Sequence, residues 1–165
     1  MSALGIGTKQ IGNELEYQHR LIIPKIVIVC EQHREAYKRT LSYRPYSIST
    51  ASNAKEALDI IKKFSIGSSI ILITSLALMD SNGIDLALKL VQRNYNCTNI
   101  LITEEADSTN DKIIKFKEQL QSDRSDCIFA SVIQRPISCA MLRNAVLDCI
   151  SIANDYIDDN VPLVN

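Results

Sequence analysis

From Pro24 onward the chain alternates five times between a short β-branched run and a longer segment with helical spacing. The runs are KIVIV (Lys25–Val29), YSIST (Tyr46–Thr50), SIILIT (Ser69–Thr74), NILIT (Asn99–Thr103) and DCIFASVI (Asp126–Ile133). KIVIV is apolar along nearly its whole length, as a central strand covered on both faces must be. The intervening segments predict helices over Arg34–Tyr43, Ser52–Phe64, Gly83–Asn94, Thr109–Leu120 and Cys139–Ala153. Ser52 or Asn53 is placed to cap the second of these, where Ala57, Leu58, Ile60 and Ile61 share a face. In the third, Ile84, Ala87, Leu88 and Val91 fall at i, i+3, i+4 and i+7. In the fourth, Ile113, Ile114, Phe116 and Leu120 are the apolar positions. Strict alternation with short connections leaves one architecture: an α/β fold with a five-stranded parallel sheet, doubly wound, (βα)5. The predicted domain spans 24–153, preceded by an extension or linker at 1–23 and followed by a frayed acidic tail at 154–165.

Composition narrows the function classes. Apolar residues make up 46% of the chain and charged residues 22%, with a net charge of -1, which is ordinary for a globular domain. No basic stripe is available to neutralise a phosphate backbone, so nucleic acid is not an expected partner. The densest basic cluster, Lys112, Lys115 and Lys117, is flanked by Asp111 and Glu118 and reads as a solvated helix face. The five cysteines form no C-x-x-C pair and read as reduced, buried, small hydrophobes of a cytoplasmic protein. Two histidines give a zinc site or a His-based triad little to work with. No apolar run reaches the roughly 18 residues that span a bilayer, so no membrane contact is expected of this domain. The domain is expected either to stand alone or to be one piece of a longer protein.

In doubly wound sheets, ligands gather outside the carboxyl ends of the strands. The residues to inspect there are Cys30-Glu31, Thr74-Ser75, Thr103-Glu104-Glu105 and Gln134-Arg135-Pro136. Four further stretches carry a resemblance. TASNAKEALDII joins the second strand to the second helix, and MDSNGIDL follows the third strand. Thr103 ends the fourth strand, and Arg135-Pro136 follows the fifth. In this order and spacing, over about 130 residues, the chain resembles the receiver domains of two-component response regulators, whose fold is flavodoxin-like, or CheY-like.

The resemblance implies where that family keeps its chemistry. Its phosphoacceptor Asp falls on Ser75, and its Mg²⁺-holding acidic pair falls on Cys30 and Glu31. Its Lys falls on Arg135, followed by Pro136 with a bond that is usually cis. The small residue after the strand-four Thr falls on Glu104, and the aromatic switch position falls on Val132. Among the phosphoacceptor, acidic-pair, Lys, Thr, small-residue and switch positions, Thr103 alone is retained. Transfer to an acyl oxygen needs a carboxylate nucleophile and a divalent cation, and Mg²⁺ prefers carboxylate oxygens to thiols. The implied reading is a pseudo-receiver: a non-enzymatic regulatory or interaction module with no catalytic residue, no metal and no cofactor.

Other expectations follow at single residues. Arg135 has the fork geometry to pair with Glu31 or Glu104, or else it points to solvent. Asp80 is the one carboxylate in the loop after the third strand, a loop-solvating residue or a displaced acceptor. Ser75 is a satisfied structural hydroxyl or a modification site, and Cys30 an inert thiol or an oxidation sensor. Glu104-Glu105 is a solvated loop or a contact for a basic partner. By resemblance, the partner is a histidine kinase, a phosphotransfer protein or the chain's own kinase domain, as in a hybrid sensor kinase, and the domain is a monomer or weak dimer. The family's usual binding surface maps to Lys112–Leu120, Ser131–Ile133 and Cys139–Asp148, with His33–Tyr43 as the other option. The rival readings are an atypical receiver still responding to phosphate, Mg²⁺ or a small ligand, and an unrelated flavodoxin-like enzyme. The latter lacks a glycine-rich loop after the first strand.

Overall fold

A computed structural model describes residues 23–122 and 127–160. The strands are β1 (Lys25–Val29), β2 (Ser47–Ala51), β3 (Ile70–Ser75), β4 (Cys97–Thr103) and β5 (Phe129–Gln134). The helices are α1 (Arg34–Leu41), α2 (Ala54–Lys62), α3 (Gly83–Gln92), α4 (Asp111–Ser122) and α5 (Cys139–Asn160). All strand pairings are parallel, in the order β2-β1-β3-β4-β5. The chain reverses its winding between β1 and β3, which opens a crevice at their carboxyl ends. The expected α/β doubly wound sheet is therefore the observed fold.

Alternation along each strand divides the core into two layers. Val27, Val29, Ile70, Leu72, Leu101 and Phe129 face one way and pack on α2, α3 and α4 through residues such as Ala57, Ile61, Leu90 and Ile113. Ile26, Ile28, Ile71, Ile73, Ile100, Ile102 and Ile133 face the other way and pack on α1 and α5 through Tyr37, Leu41, Leu142 and Val146. Strand β5 breaks the simple alternation. Its register against β4 slips between Asn99 and Ile100, so that Asn99 pairs with Phe129 and Ile100 with Ser131. Phe129 and Val132 consequently join the same layer. Buried Asn99 fills the irregularity, donating to the Ile128 carbonyl at 2.9 Å and accepting from the Cys97 thiol at 2.9 Å.

Three sequence expectations are corrected. The buried face of α3 is Gly83, Leu86, Ala87 and Leu90, together with Ile84, whereas Leu88 is 37% and Val91 45% exposed. The i, i+3, i+4, i+7 pattern is present, but it starts one residue earlier than the apolar count suggested. Gly83 sets that phase, because a Cβ there would lie 2.4 Å from the Ser75 carbonyl oxygen. A 3-10 turn, Glu105–Thr109, occupies the expected start of the fourth helix. Helix α5 continues to Asn160 rather than fraying at Ala153. Neither Gly nor Pro interrupts the sequence between Cys139 and Asn160. Residues 1–22 of the expected extension, 161–165 of the tail and Asp126 of the fifth strand lie outside the described residues. Among the described residues no helix is long and apolar enough to cross a membrane.

Candidate functional site

The parallel sheet brings four separate strand ends together. Cys30 and Glu31 after β1, Ser75 at the end of β3, Glu104 after β4 and Arg135 after β5 line one cleft of about 140 Å³. Gln32, His33 and Asp107 also line it. Sequence reasoning passed over these three because they stand in the turns beyond the strand ends. Asp107 had one legible signal, its position three residues after Glu104.

The polar groups of the cleft are largely tied to one another. The Arg135 guanidinium donates to Glu104 Oε1 at 2.7 Å, so the carboxylate it finds is that of Glu104, not Glu31. Arg135 is 19% exposed and Glu104 58%. Glu104 is also the N-cap of the 3-10 turn. Its carbonyl accepts from the Asp107 amide at 3.0 Å, and the Glu104 amide donates to Asp107 Oδ2 at 2.8 Å. Arg135 itself is held from behind, its amide donating to the Thr103 carbonyl at 2.8 Å, and a cis peptide bond leads into Pro136 at the rim. Across the cleft, Arg34 donates to the carbonyl oxygens of Cys30 and Glu31, closing the turn after β1. Cys30 is buried, and its Sγ accepts from the His33 amide at 3.4 Å. The Glu31 side chain is exposed and has no ion-pair partner among the described residues.

Two hydroxyls stand apart from this network. Ser75 Oγ and Thr103 Oγ1 are buried without a protein hydrogen-bond partner among the described residues. Thr103 is 2% exposed and does not line the cleft. Val132 is half-buried and packs into the layer under α2, α3 and α4. An aliphatic side chain there has no ring to swing between the cleft and the surface.

Asp80 belongs elsewhere. The loop after β3 folds back on itself through an Ala77–Asn82 bridge, with the Gly83 amide donating to the Leu76 carbonyl at 2.8 Å. This carries Asp80 away from the cleft to the start of α2, where its two carboxylate oxygens accept from the Ala54 and Lys55 amides at 3.0 Å each. Those amides hold its carboxyl below the usual range, with Lys89 adding to the effect. Asp80 is thus neither a free loop carboxylate nor an acceptor in the cleft. Asn53, the actual N-cap, accepts from the Glu56 amide at 2.9 Å, while Glu56 Oε2 accepts from the Ser52 amide at 2.6 Å. The helix start is therefore closed by groups from two loops.

Among the described residues, no group of three or more His, Cys, Asp and Glu side chains converges closely enough to hold a metal ion. The free cysteines differ in setting: Cys30 and Cys149 are buried, Cys97 and Cys127 half-buried, and Cys139 exposed, against the expectation that all are core residues. Burial pushes the Cys149 thiol up to about 12.

No family model matches the chain, and no curated protein matches it. Solved structures do. A response-regulator receiver domain from Clostridium thermocellum superposes with a TM-score of 0.66 at 18% identity, covering 81% of this chain and 98% of that one. A CheY-like receiver domain from Methanospirillum hungatei JF-1 gives 0.63 at 17% identity, covering 81% and 98%. The signal receiver domain of an HD domain-containing protein from Pseudomonas fluorescens Pf-5 gives 0.65 at 18%, covering 84% and 93%. The fold is that of the receiver domains.

Proposed function

We propose that this chain is a degenerate receiver, a regulatory or protein-interaction module of two-component signalling that does no phosphoryl chemistry of its own. The observation that carries this reading is the strand-end cleft. It offers a hydroxyl, Ser75, where an acyl phosphate would need a carboxylate, and its guanidinium is already neutralised by Glu104. The donor set does not suit the Mg²⁺ that receivers use. Cys30 offers a buried thiol and Ser75 a neutral oxygen, while the Glu104 carboxylate is committed to Arg135. Asp107 is held by the Glu104 amide, so Glu31 is the one uncommitted carboxylate lining the cleft to balance a small divalent cation. Such a module would act in the cytoplasm by presenting one fixed surface to a histidine kinase, a phosphotransfer protein or a kinase domain of its own chain.

One observation favours a second reading, an atypical receiver that responds to a small ligand, phosphate or Mg²⁺. Ser75 Oγ is a buried donor without a protein partner at the wall of a polar cleft. One experiment separates the two. The protein is melted with and without Mg²⁺ plus beryllofluoride, and its intact mass is read after incubation with acetyl phosphate and Mg²⁺. An unchanged melting temperature and an unchanged mass are expected for the degenerate module. A Mg²⁺-dependent stabilisation abolished by Glu31→Ala would transfer the assignment to the second reading.

A further inference from the structure

We infer that the groove between α2 and α3 is a docking site for an acidic peptide segment of a protein partner. The inference is independent of what the strand-end cleft does. Lys55 and Lys62 from α2 face Lys89 from α3 and Arg93 at its C-cap across a groove of about 320 Å³, with Leu58 on its wall. All four cationic side chains are exposed. None of them has a carboxylate within ion-pair distance, since Arg135–Glu104 is the one salt bridge among the described residues.

The two carboxylates in the groove leave this field only partly compensated. Asp80 is engaged by the Ala54 and Lys55 amides, and Asp59 reaches none of the four cations closely enough to pair. Four positive groups against two negative ones give a local excess of two in a chain whose net charge is -1. The excess is therefore a property of this groove, not of the whole surface.

Shape and charge together choose the occupant. Lys62 and Arg93 also line a second hollow that continues the groove past the end of α2, bounded by Phe64, Ile66 and Tyr95. Ile66 is fully exposed there. The trough thus runs from a cationic channel to an uncharged end, where Phe64, Ile66 and Tyr95 stand among Ser65, Ser68, Asn94 and Asn96. From Lys55 to Lys62 is about 10 Å along a helix, the reach of about three extended residues. A short segment bearing spaced carboxylates and one apolar side chain matches that layout. A dense polyanion matches it less well, because Asp59 and Asp80 interrupt the cationic field and would face its phosphates.

The test uses the full 165-residue chain. The probe is a fluorescently labelled peptide of one Phe followed by three Glu alternating with Ser, read by anisotropy, with amide chemical shifts locating the contact. Saturable binding is expected, with shifts confined to α2, α3 and the turn at Ile66, weakening as salt rises to about 0.3 M. The double reversal Lys62→Glu, Arg93→Glu should weaken binding about tenfold or more. The control reversal Lys112→Glu, Lys115→Glu on α4 should leave it unchanged. All four positions are exposed, and thermal melts of both variants show whether folding is retained. Four results would overturn the inference: no saturable binding, shifts centred on another face, equal weakening by the α4 control, or equally tight binding of labelled oligo-dT.

Discussion

Gly83 shows how one missing side chain steers the loop after β3. Its backbone lies so close to the Ser75 carbonyl that a Cβ would stand at 2.4 Å. Helix propensity alone says that Gly83→Ala stabilises, by up to about 1 kcal/mol. Overpacking against backbone says that it destabilises, by about 1–3 kcal/mol. The second effect should win, and urea denaturation gives the sign directly. Asp80 makes a different prediction. Its carboxyl is held below the usual range by the Ala54 and Lys55 amides, so its stabilising effect is full above the unfolded value near 3.9 and fades as pH falls through the folded value. Asp80→Ala should therefore destabilise at pH 7. The gap to wild type should close as pH drops below about 4. A gap that stays constant from pH 7 to pH 3 would show that the carboxylate charge is not what holds α2.

Helix α3 is where pattern and packing part company. Two i, i+3, i+4, i+7 sets overlap in its sequence, one beginning at Gly83 and one at Ile84. Counting apolar residues favours the second, because glycine contributes nothing to the count. Packing favours the first, because only glycine can sit against the end of β3. Leu90→Ala should accordingly cost about 2–5 kcal/mol, since Leu90 is fully buried. Leu88→Ala should stay within about 0.5 kcal/mol. Equal losses at the two positions in denaturant titrations would mean that the helix is rotated from the orientation described. Helix α2 was easier to read: Asn53, one of the two expected caps, is the N-cap, and of the expected face Ala57 and Ile61 are buried while Leu58 and Ile60 are half-buried beside them.

At the scale of the whole molecule, two core layers lie on either side of one sheet, and the thiols report on them. Cys149 sits on α5 in the layer shared with α1, fully buried, with its thiol pushed up to about 12 by that burial. Cys139, ten residues earlier on the same helix, is exposed. At pH 7 a thiol-specific reagent should modify Cys139 within the first minutes, whereas Cys149 should react only through opening of the α5 layer. Peptide mapping after timed labelling separates them. Rapid labelling of Cys149 would mean that this layer opens far more readily than its packing implies.

The same scale separates what was legible in sequence from what was not. Strand content, strand order along the chain and parallel winding follow from β-branched runs alternating with helical spacings, because local periodicity is a local property of the chain. The strand-end residues Cys30, Glu31, Ser75, Glu104 and Arg135 could be named for a related reason: in a doubly wound sheet the topology alone gathers them. Which of them touch was decided only in three dimensions. The choice of Glu104 over Glu31 for Arg135 depends on the 3-10 turn that anchors Glu104 through Asp107. The capture of Asp80 by α2 depends on the fold-back of its loop, and the phase of α3 on a backbone contact. The α2–α3 groove had no sequence signature at all. Its four cations come from two helices more than twenty residues apart, and a field made by summing charges exists only once the helices lie side by side.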